Sequence, residues 1–294
     1  MQRRVAFLGL GVMGYAMAGW LSKRGYAVVV YNRTHAVSQR WLRDYVGEAA
    51  ATVAEAVAGA EIVFTCLGND DDVRAVVAGE TGALAAMSSG SVLVDHTTTS
   101  ALVARELAEQ AASLGLGFID APVSGGQQGA ENGQLTVMCG GQQDQFDAVK
   151  DVIESYAKSL QLMGDVGSGQ LCKMVNQICI AGVVQGLAEG LNFAKRAGLD
   201  AHQVVEVISK GAAQSWQMEN RYQTMLANDY EHGFAVQWMR KDLAFALDEA
   251  KANGSDLPLT QLVDGFYQQV QEMGGNRWDT SSLLARLEYD RSKA

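Results

Sequence analysis

Thirty residues near the start of the chain, Val5 to Thr34, constrain the fold more than any other stretch. Val5-Ala6-Phe7-Leu8 is an apolar run short enough to be a buried strand, and it leads directly into Gly9-Leu10-Gly11-Val12-Met13-Gly14. Met13, Met17, Trp20 and Leu21 then recur at helical spacing, and Gly25 stands where a helix C-terminal glycine belongs. Ala27 to Tyr31 is a second buried-strand run, closed by Asn32-Arg33-Thr34. Strand, glycine turn, helix and second strand in this order give a G-x-G-x-x-G pattern its meaning.

The spacing has a chemical reason. Gly9 permits the tight turn off the strand, Gly11 has no Cβ to hold a pyrophosphate away from the backbone, and Gly14 lets the helix press on the strand. The first-turn N–H groups then face the phosphates, with the positive end of the helix dipole behind them. Gly9, Leu10, Gly11, Val12, Met13 and Gly14 therefore form a candidate dinucleotide cradle. An acidic residue at the end of the second strand would accept from the ribose 2′-hydroxyl of NAD. This chain has Asn32 there, eighteen positions after Gly14, followed by Arg33 and Thr34. A guanidinium can grip a 2′-phosphate that a carboxylate would repel, so NADP is favoured and NAD is possible with lower preference. The alternative reading of the three residues is a polar turn with an exposed arginine.

The bulk numbers bound the classes available. A chain of 294 residues, 48% apolar and 19% charged, can bury a sizeable core in one large domain or two ordinary ones. A net charge of −10 argues against a nucleic-acid or anionic-membrane surface. Cys66, Cys139, Cys172 and Cys179 show no C-x-x-C spacing and read as reduced, mostly buried residues of a cytoplasmic protein. His35, His96, His202 and His232 show no metal spacing, and no metal is expected. Arg3-Arg4 before an apolar run superficially resembles a secretory signal, but three glycines interrupt it, and cleavage after Ala16-Met17-Ala18 would remove the cradle. No membrane span is expected either.

Strand and helix patterns alternate after Thr34. Ala36 to Tyr45 and Val53 to Val57 read as helices, and Glu61 to Leu67 as a buried strand. Asn69-Asp70-Asp71-Asp72 could suggest a metal site; the stronger reading is a helix N-cap with favourable charges, the helix running to about Ala78. Ser91 to Asp95 is a strand ending in His96-Thr97-Thr98-Thr99-Ser100, and a helix from Ala101 to Ser113 leads to a strand from Leu116 to Asp120. The alternation predicts a doubly wound parallel sheet with ligands at the strands' carboxyl ends. Leu67, Gly68 and Thr98 then face the crevice of the glycine turn, or else their loops are only helix caps. Asp120-Ala121-Pro122-Val123-Ser124-Gly125-Gly126 is a rigid turn exposing several N–H groups and one hydroxyl, a cradle for a carboxylate or a plain tight connection. Gln134 to Cys139 reads as a further strand closing the sheet.

The second half is helical. Ser168 to Ala197 contains no proline, and as one helix it is roughly 45 Å long. Gly182, Gly186 and Gly190 leave one of its faces bare, which predicts close packing by another helix of this chain or by a partner subunit. Lys173 and Asn176 share a face near its start. Taken alone, Lys173 reads as an ordinary surface lysine, although the positive end of a helix and a nearby nicotinium ring would disfavour its charged form and suit it to proton transfer. Cys172 beside it has no supporting histidine nearby in sequence and reads as a buried helix residue. Helical segments are expected near 201–211, 215–228, 236–253, 258–273 and 280–288, which sets domain bounds of 1–164 and 165–294.

Phe7 to Leu21 (FLGLGVMGYAMAGWL), Asp120 to Gly126 (DAPVSGG), Gly164 to Asn176 (GDVGSGQLCKMVN) and Lys241 to Leu243 (KDL) together resemble the β-hydroxyacid dehydrogenase family. That family includes 3-hydroxyisobutyrate dehydrogenase, tartronate semialdehyde reductase and glyoxylate/succinic semialdehyde reductases. The resemblance covers essentially the whole chain. It implies an N-terminal Rossmann domain, a long connecting helix, and an all-helical C-terminal domain like that of 6-phosphogluconate dehydrogenase, which also makes a homodimer or homotetramer. By motif position Lys173 resembles the catalytic lysine, and Asn176, Ser124, Gly125 and Gly126 resemble the substrate-binding residues. Thr98 and Lys241 resemble cofactor contacts beside the glycine turn, Asn32, Arg33 and Thr34. His96-Thr97-Thr98 departs from the Ser-Thr pair of many members. The implied activity is NADP-dependent interconversion of a short hydroxy acid and its semialdehyde or keto acid. The alternatives are an imine reductase of the same fold, which a screen of cyclic imines against semialdehydes separates, and a non-catalytic NADP-binding module, which would not consume NADPH.

Overall fold

The computed structural model describes residues 3–289. The chain forms two compact units, Met1–Lys173 and Met174–Ala294. The first is built on six parallel strands, β1 (Arg4–Leu8), β2 (Ala27–Tyr31), β3 (Glu48–Ala49), β4 (Ile62–Thr65), β5 (Val92–Asp95) and β6 (Gly117–Asp120). Helices α1 (Val12–Lys23), α2 (His35–Asp44), α3 (Val53–Val57), α4 (Asp70–Val73), α5 (Ala83–Ala86) and α6 (Ala101–Ser113) connect them. The spatial order is β3-β2-β1-β4-β5-β6, so the chain winds one way from β1 and the other way from β4. The carboxyl ends of β1 and β4 therefore flank the crevice where doubly wound sheets bind ligands.

The strands read as unbroken apolar runs because both faces of the sheet are covered. Val5, Phe7, Val30, Ile62, Phe64 and Val94 share one core with Met17, Leu21 and Trp41. Ala6, Leu8, Val29, Val63 and Leu93 share another with Ala56, Val103 and Leu107. Local signals set the helix starts. Thr52 and Glu55 form a capping box at α3, and Asn69 Oδ1 accepts the Asp72 N–H at 2.9 Å at the start of α4. The acidic run is thus a capped helix start, continued by a π-helical turn over Arg74–Ala78.

The expectation that Gln134 to Cys139 closes the main sheet is corrected. β7 (Val123–Ser124), β8 (Leu135–Cys139) and β9 (Ala157–Leu162) form a second sheet in the order β7-β8-β9, with β8 antiparallel to β7 and parallel to β9. A parallel return beside β6 needs a crossover of about a dozen residues or more. The fourteen residues between β6 and β8 are long enough for that, but Pro122, β7 and the six-residue α7 (Gly126–Glu131) occupy them, and no helix long enough to span the sheet is among them. The chain therefore reverses, and Gly140 meets Asp120 in an antiparallel bridge. The helix α8 (Gln143–Ile153) packs Phe146, Val149 and Val152 into the first core.

α9 (Ser168–Arg196) is one unbroken helix, and the boundary between the units falls inside it. The second unit adds α10 (Ala201–Ile208), α11 (Trp216–Leu226), α12 (Val236–Asn253), α13 (Pro258–Glu272), a 3-10 turn at Thr280–Ser282 and α14 (Leu283–Glu288). By length and composition α9 could cross a membrane. Its Ala181, Val184, Leu187, Ala188 and Leu191 instead pack with Met218, Met225, Tyr267 and Leu283, and that core accounts for its hydropathy. A Cβ at Gly182 would lie 3.2 Å from the Leu259 side chain of α13, whereas one at Gly186 or Gly190 would meet nothing within 4 Å. The same side of α9 exposes Val183 and Phe193, 40% and 71% accessible.

Candidate active site

The glycine turn is fixed by backbone contacts. Gly9 has φ +97°, and a Cβ there would strike the Cys66 carbonyl oxygen; a Cβ at Gly14 would strike the Gly9 carbonyl oxygen. The Gly9 N–H donates to the Tyr31 carbonyl at 2.9 Å, tying the turn to β2. Gly11 differs from both: a Cβ there meets nothing within 4 Å, so the space beside it belongs to no part of this chain. α1 has no side-chain cap and no acidic residue in its first turn. An uncapped positive helix end beside a bare backbone and an exposed Val12 fits a pyrophosphate.

The residues after β2 divide their tasks. Asn32 Oδ1 accepts the Leu10 N–H at 3.0 Å, and its Nδ2 donates to the Thr34 carbonyl at 3.2 Å. Its amide shapes the glycine turn from inside, a role the sequence reading did not give it. Arg33 is 90% exposed, with its nearest carboxylate, that of Asp72, 3.6 Å away. A pair so exposed holds weakly and leaves the guanidinium available to a phosphate. Thr34 stands at the N-terminus of α2.

The ends of β4 and β5 are bonded to each other. The Leu67 N–H donates to Thr97 Oγ1 at 2.9 Å, which holds the Leu67-Gly68 loop against the loop carrying Thr98. Thr97 and Thr99, on either side of Thr98, are buried. The unexpected His96 is a structural residue. Its Nδ1–H donates to the Ala121 carbonyl at 2.7 Å, and its Nε2 accepts from the Tyr156 hydroxyl at 2.8 Å. The ring stacks on Phe64 with centroids 5.7 Å apart. The neutral ring serves both partners, and burial pushes the imidazole down to about 4.

Asp120 ends β6, and its carboxylate accepts the Gly167 N–H at 2.7 Å and the Gln170 N–H at 2.9 Å, so it caps the start of α9. Burial, opposed by these hydrogen bonds, lifts the carboxyl to about 6. Two residues on, Pro122 and Val123 lead to Ser124, Gly125 and Gly126, the last two exposed at φ +127° and +60°. That conformation favours glycine. Lys173 lies within two turns of the start of α9 and is only 7% exposed, which corrects the surface reading it has when taken alone.

The second unit holds Asn176 and Lys241 in one polar chain. Asn176 Nδ2 donates to Gln177 Oε1 at 2.8 Å, and Gln177 Nε2 donates to Asp242 Oδ2 at 2.7 Å. Lys241 Nζ lies 3.4 Å from Asp242 Oδ1 and 5.6 Å from the ring centroids of Trp238 and Phe245. Gln177 and Asp242 are buried, and the sequence reading missed both, although Asp242 stands inside the Lys241–Leu243 stretch. No cysteine is in a disulfide; Cys139 is buried, Cys66 and Cys172 are half-buried and Cys179 is exposed, so the expectation of mostly buried cysteines, and of a buried Cys172, is corrected. Among the described residues no group of three or more His, Cys, Asp or Glu could hold a metal ion.

Two tests follow from this geometry. Gly11→Ala leaves the melting temperature within about 2 °C and weakens dinucleotide binding, whereas Gly14→Ala lowers stability by 1 kcal/mol or more, on the order expected where a side chain meets backbone; equal melting temperatures refute the assignment of the open space. For His96 the sign is fixed by linkage. The unfolded imidazole protonates near 6.5 and the folded one only near 4, so its stabilisation is present above 6.5 and is lost as pH falls toward 4. Asp120 runs oppositely, gaining stability as pH falls through about 6, so the two mask each other in the native chain. His96→Gln removes only the first effect. It is destabilising at pH 7, and its deficit shrinks by about 2 kcal/mol by pH 5; a constant deficit across that range contradicts the neutral-histidine role.

The family model for the NAD binding domain of 6-phosphogluconate dehydrogenase matches residues 4–164, and that for the NAD-binding domain of NADP-dependent 3-hydroxyisobutyrate dehydrogenase matches residues 167–287. The chain is 64% identical, over 98% of its length and 99% of the relative's, to an uncharacterized oxidoreductase of Shewanella frigidimarina. It is 34% identical to 2-hydroxy-3-oxopropionate reductase of Escherichia coli, over 97% of both chains. Among solved structures, 3-hydroxyisobutyrate dehydrogenase of Mycobacterium tuberculosis with L-serine superposes with a TM-score of 0.87 at 30% identity, covering 98% of this chain and all of that one. With a parallel sheet wound about a glycine turn, a helical second unit, and relatives matched end to end, the chain belongs to the β-hydroxyacid dehydrogenase family of NAD(P)-dependent oxidoreductases.

Proposed function

We propose that this chain reduces a short aldehyde or keto acid bearing a carboxylate, and oxidises the corresponding hydroxy acid, with NADP(H) as the preferred carrier. The observation that carries the reading is Lys173, a lysine 7% exposed near the start of α9, in the position the family motif gives its lysine. The bound dinucleotide supplies or accepts the hydride at its nicotinamide ring. The chain supplies the rest. The N–H groups at Gly11, Val12 and Met13 hold the pyrophosphate, and Arg33 with Thr34 holds the 2′-phosphate. Leu67, Gly68 and Thr98 complete the cofactor contacts of the first unit, and Lys241 is assigned to the cofactor by its place in the motif.

Ser124 Oγ and the N–H groups of Gly125 and Gly126 hold the substrate carboxylate, and Asn176 is assigned to the substrate by its place in the motif. Lys173 Nζ gives a proton to the carbonyl oxygen in reduction and takes the hydroxyl proton in oxidation. A carboxylate anchor fixes the carbon that accepts hydride, so positioning and electrostatics carry the rate. L-serine in the Mycobacterium relative has the carboxylate and β-hydroxyl such a site would take. Assembly as a homodimer or homotetramer, and a cytoplasmic location, complete the proposal; the exposed side of α9 around Gly186, Gly190 and Phe193 is where a second copy would pack.

The deciding measurement is NADPH oxidation with succinic, methylmalonic and tartronic semialdehydes, glyoxylate and a cyclic imine. Turnover of at least one carboxylated aldehyde is expected, and imine-only turnover overturns the reading. Lys173→Ala should lose about 10²-fold to 10⁴-fold in kcat while still binding NADP; near-normal turnover removes Lys173 from the mechanism. Arg33→Asp should shift the ratio of kcat/KM values toward NAD, and an unchanged ratio removes the 2′-phosphate grip.

A further inference from the structure

The first turn of α9 is held to the first unit more tightly than a helix start requires. Gln170 is fully buried, and its side-chain amide is bonded at both ends to one loop. Its Oε1 accepts the Thr99 N–H at 3.1 Å, and its Nε2 donates to the Thr97 carbonyl at 2.7 Å. Its backbone N–H donates to Asp120. Gly169 beside it is packed so closely that a Cβ would lie 2.7 Å from Asp120 Oδ2 and 2.8 Å from the Asp120 carbonyl oxygen. The loop so gripped is itself anchored: Thr97 N–H donates to Asp95 Oδ1 at 3.0 Å, which also accepts the Thr65 hydroxyl at 2.6 Å, and Thr97 Oγ1 accepts from Leu67. One hydrogen-bonded chain thus joins the ends of β4, β5 and β6 to the start of α9.

Gln170 precedes Lys173 by three residues, so the two are neighbours on one helical face. We propose that Gln170 is a positioning residue of the reaction: its amide locks the first turn of α9 in register with the Thr97–Thr99 loop, while Asp120 holds the helix start from the β6 side, and together they set where Lys173 stands. The proposal rests on the reading of Lys173 as the proton donor. Net stability is a poor account of such a device, because each buried neutral hydrogen bond adds only about 1 kcal/mol. What the bonds add is geometry. An error of about 1 Å in a catalytic group can cost about 10²-fold in rate.

Two substitutions separate positioning from mere support. Gln170→Met keeps the volume and removes both side-chain bonds. Gln170→Glu keeps the acceptor for Thr99; ionised, it cannot donate to the Thr97 carbonyl, whereas protonated it reproduces the amide. The acidic groups facing that position are Asp120 and, through Thr97, Asp95; the buried Cys139 thiol, pushed up to about 12, stays neutral. Both carboxylates and burial favour protonation of the introduced glutamate.

Gln170→Met is expected to lose about 10²-fold in kcat with KM for NADPH within about threefold. In the cofactor-free variant, amide hydrogen exchange accelerates at residues 97–101 and 167–173 and not elsewhere. Gln170→Glu is expected to recover about tenfold relative to the native enzyme between pH 8.5 and pH 6.5, which Gln170→Met does not; this pH signature serves also if the methionine variant fails to fold. Native kcat in Gln170→Met, unchanged exchange in the two segments, or parallel pH profiles of the two variants overturn the proposal. Lys173→Ala, assayed alongside, separates the claims. Normal turnover there removes the reading of Lys173 and the proposal with it, while loss there with normal turnover in Gln170→Met removes the proposal alone.

Discussion

Helix α1 lies against the backbone of the strand that precedes it, and the rest of the first unit follows from that contact. At Gly14 there is no room for a Cβ beside the Gly9 carbonyl, and at Gly9 none beside the Cys66 carbonyl. These two close approaches bring the end of β1 against the loop after β4, which is where the winding of the sheet changes direction. A positive helix end is thereby delivered to the crevice with its N–H groups uncapped. The third glycine has no such partner within the chain. Its tolerance of a side chain sterically and its place in the pattern are reconciled only if a ligand takes the space.

The legible parts of the sequence were those where one local rule acts alone. Buried parallel strands announce themselves as apolar runs, and Ala27–Tyr31 and the α6 helix, Ala101–Ser113, stand where the pattern puts them. The capped acidic run at Asn69 was legible for the same reason. β8 was legible as a strand and not as a member of a sheet, because its pairing depends on Pro122 and on the short β7 it meets, both non-local in effect. β9, with the sequence AKSLQL and half its residues exposed, carries almost no apolar signal at all. The site divides likewise. Glycines and a motif lysine are marked by spacing, but Gln170, Asp120 and His96 act through partners 25 to 73 residues away in sequence. Asn32 shows the converse: its position was legible and its task was not, since an amide that could face a phosphate instead turns inward to Leu10.

Two buried titratable groups lie close to the same loop and are perturbed for one reason. Burial disfavours charge, which lowers His96 to about 4 and raises Asp120 to about 6. Their hydrogen bonds then act differently. The carbonyl and hydroxyl around His96 are satisfied by a neutral ring. The amide donors at Asp120 favour the carboxylate and oppose the effect of burial. Above pH 6 the chain accordingly holds a neutral histidine and an anionic helix cap at the base of the Asp120–Gly126 turn. That combination keeps Ala121, and so the start of the turn, bonded from the β5 side by His96 while Asp120 is engaged by α9.

A helix start can be secured with apolar packing at less cost than with a carboxylate and an amide, since burying polar groups is unfavourable unless every one is paired. Apolar contacts, however, tolerate sliding: a leucine packs nearly as well after a small shift of the helix along its axis. Hydrogen bonds of 2.7 to 3.1 Å to fixed backbone groups do not tolerate it, because the bond is lost before the packing is. Polar contacts on two sides of one helical turn therefore define its height and its rotation together. The residues that inherit that definition are the ones the helix carries next, Lys173 among them.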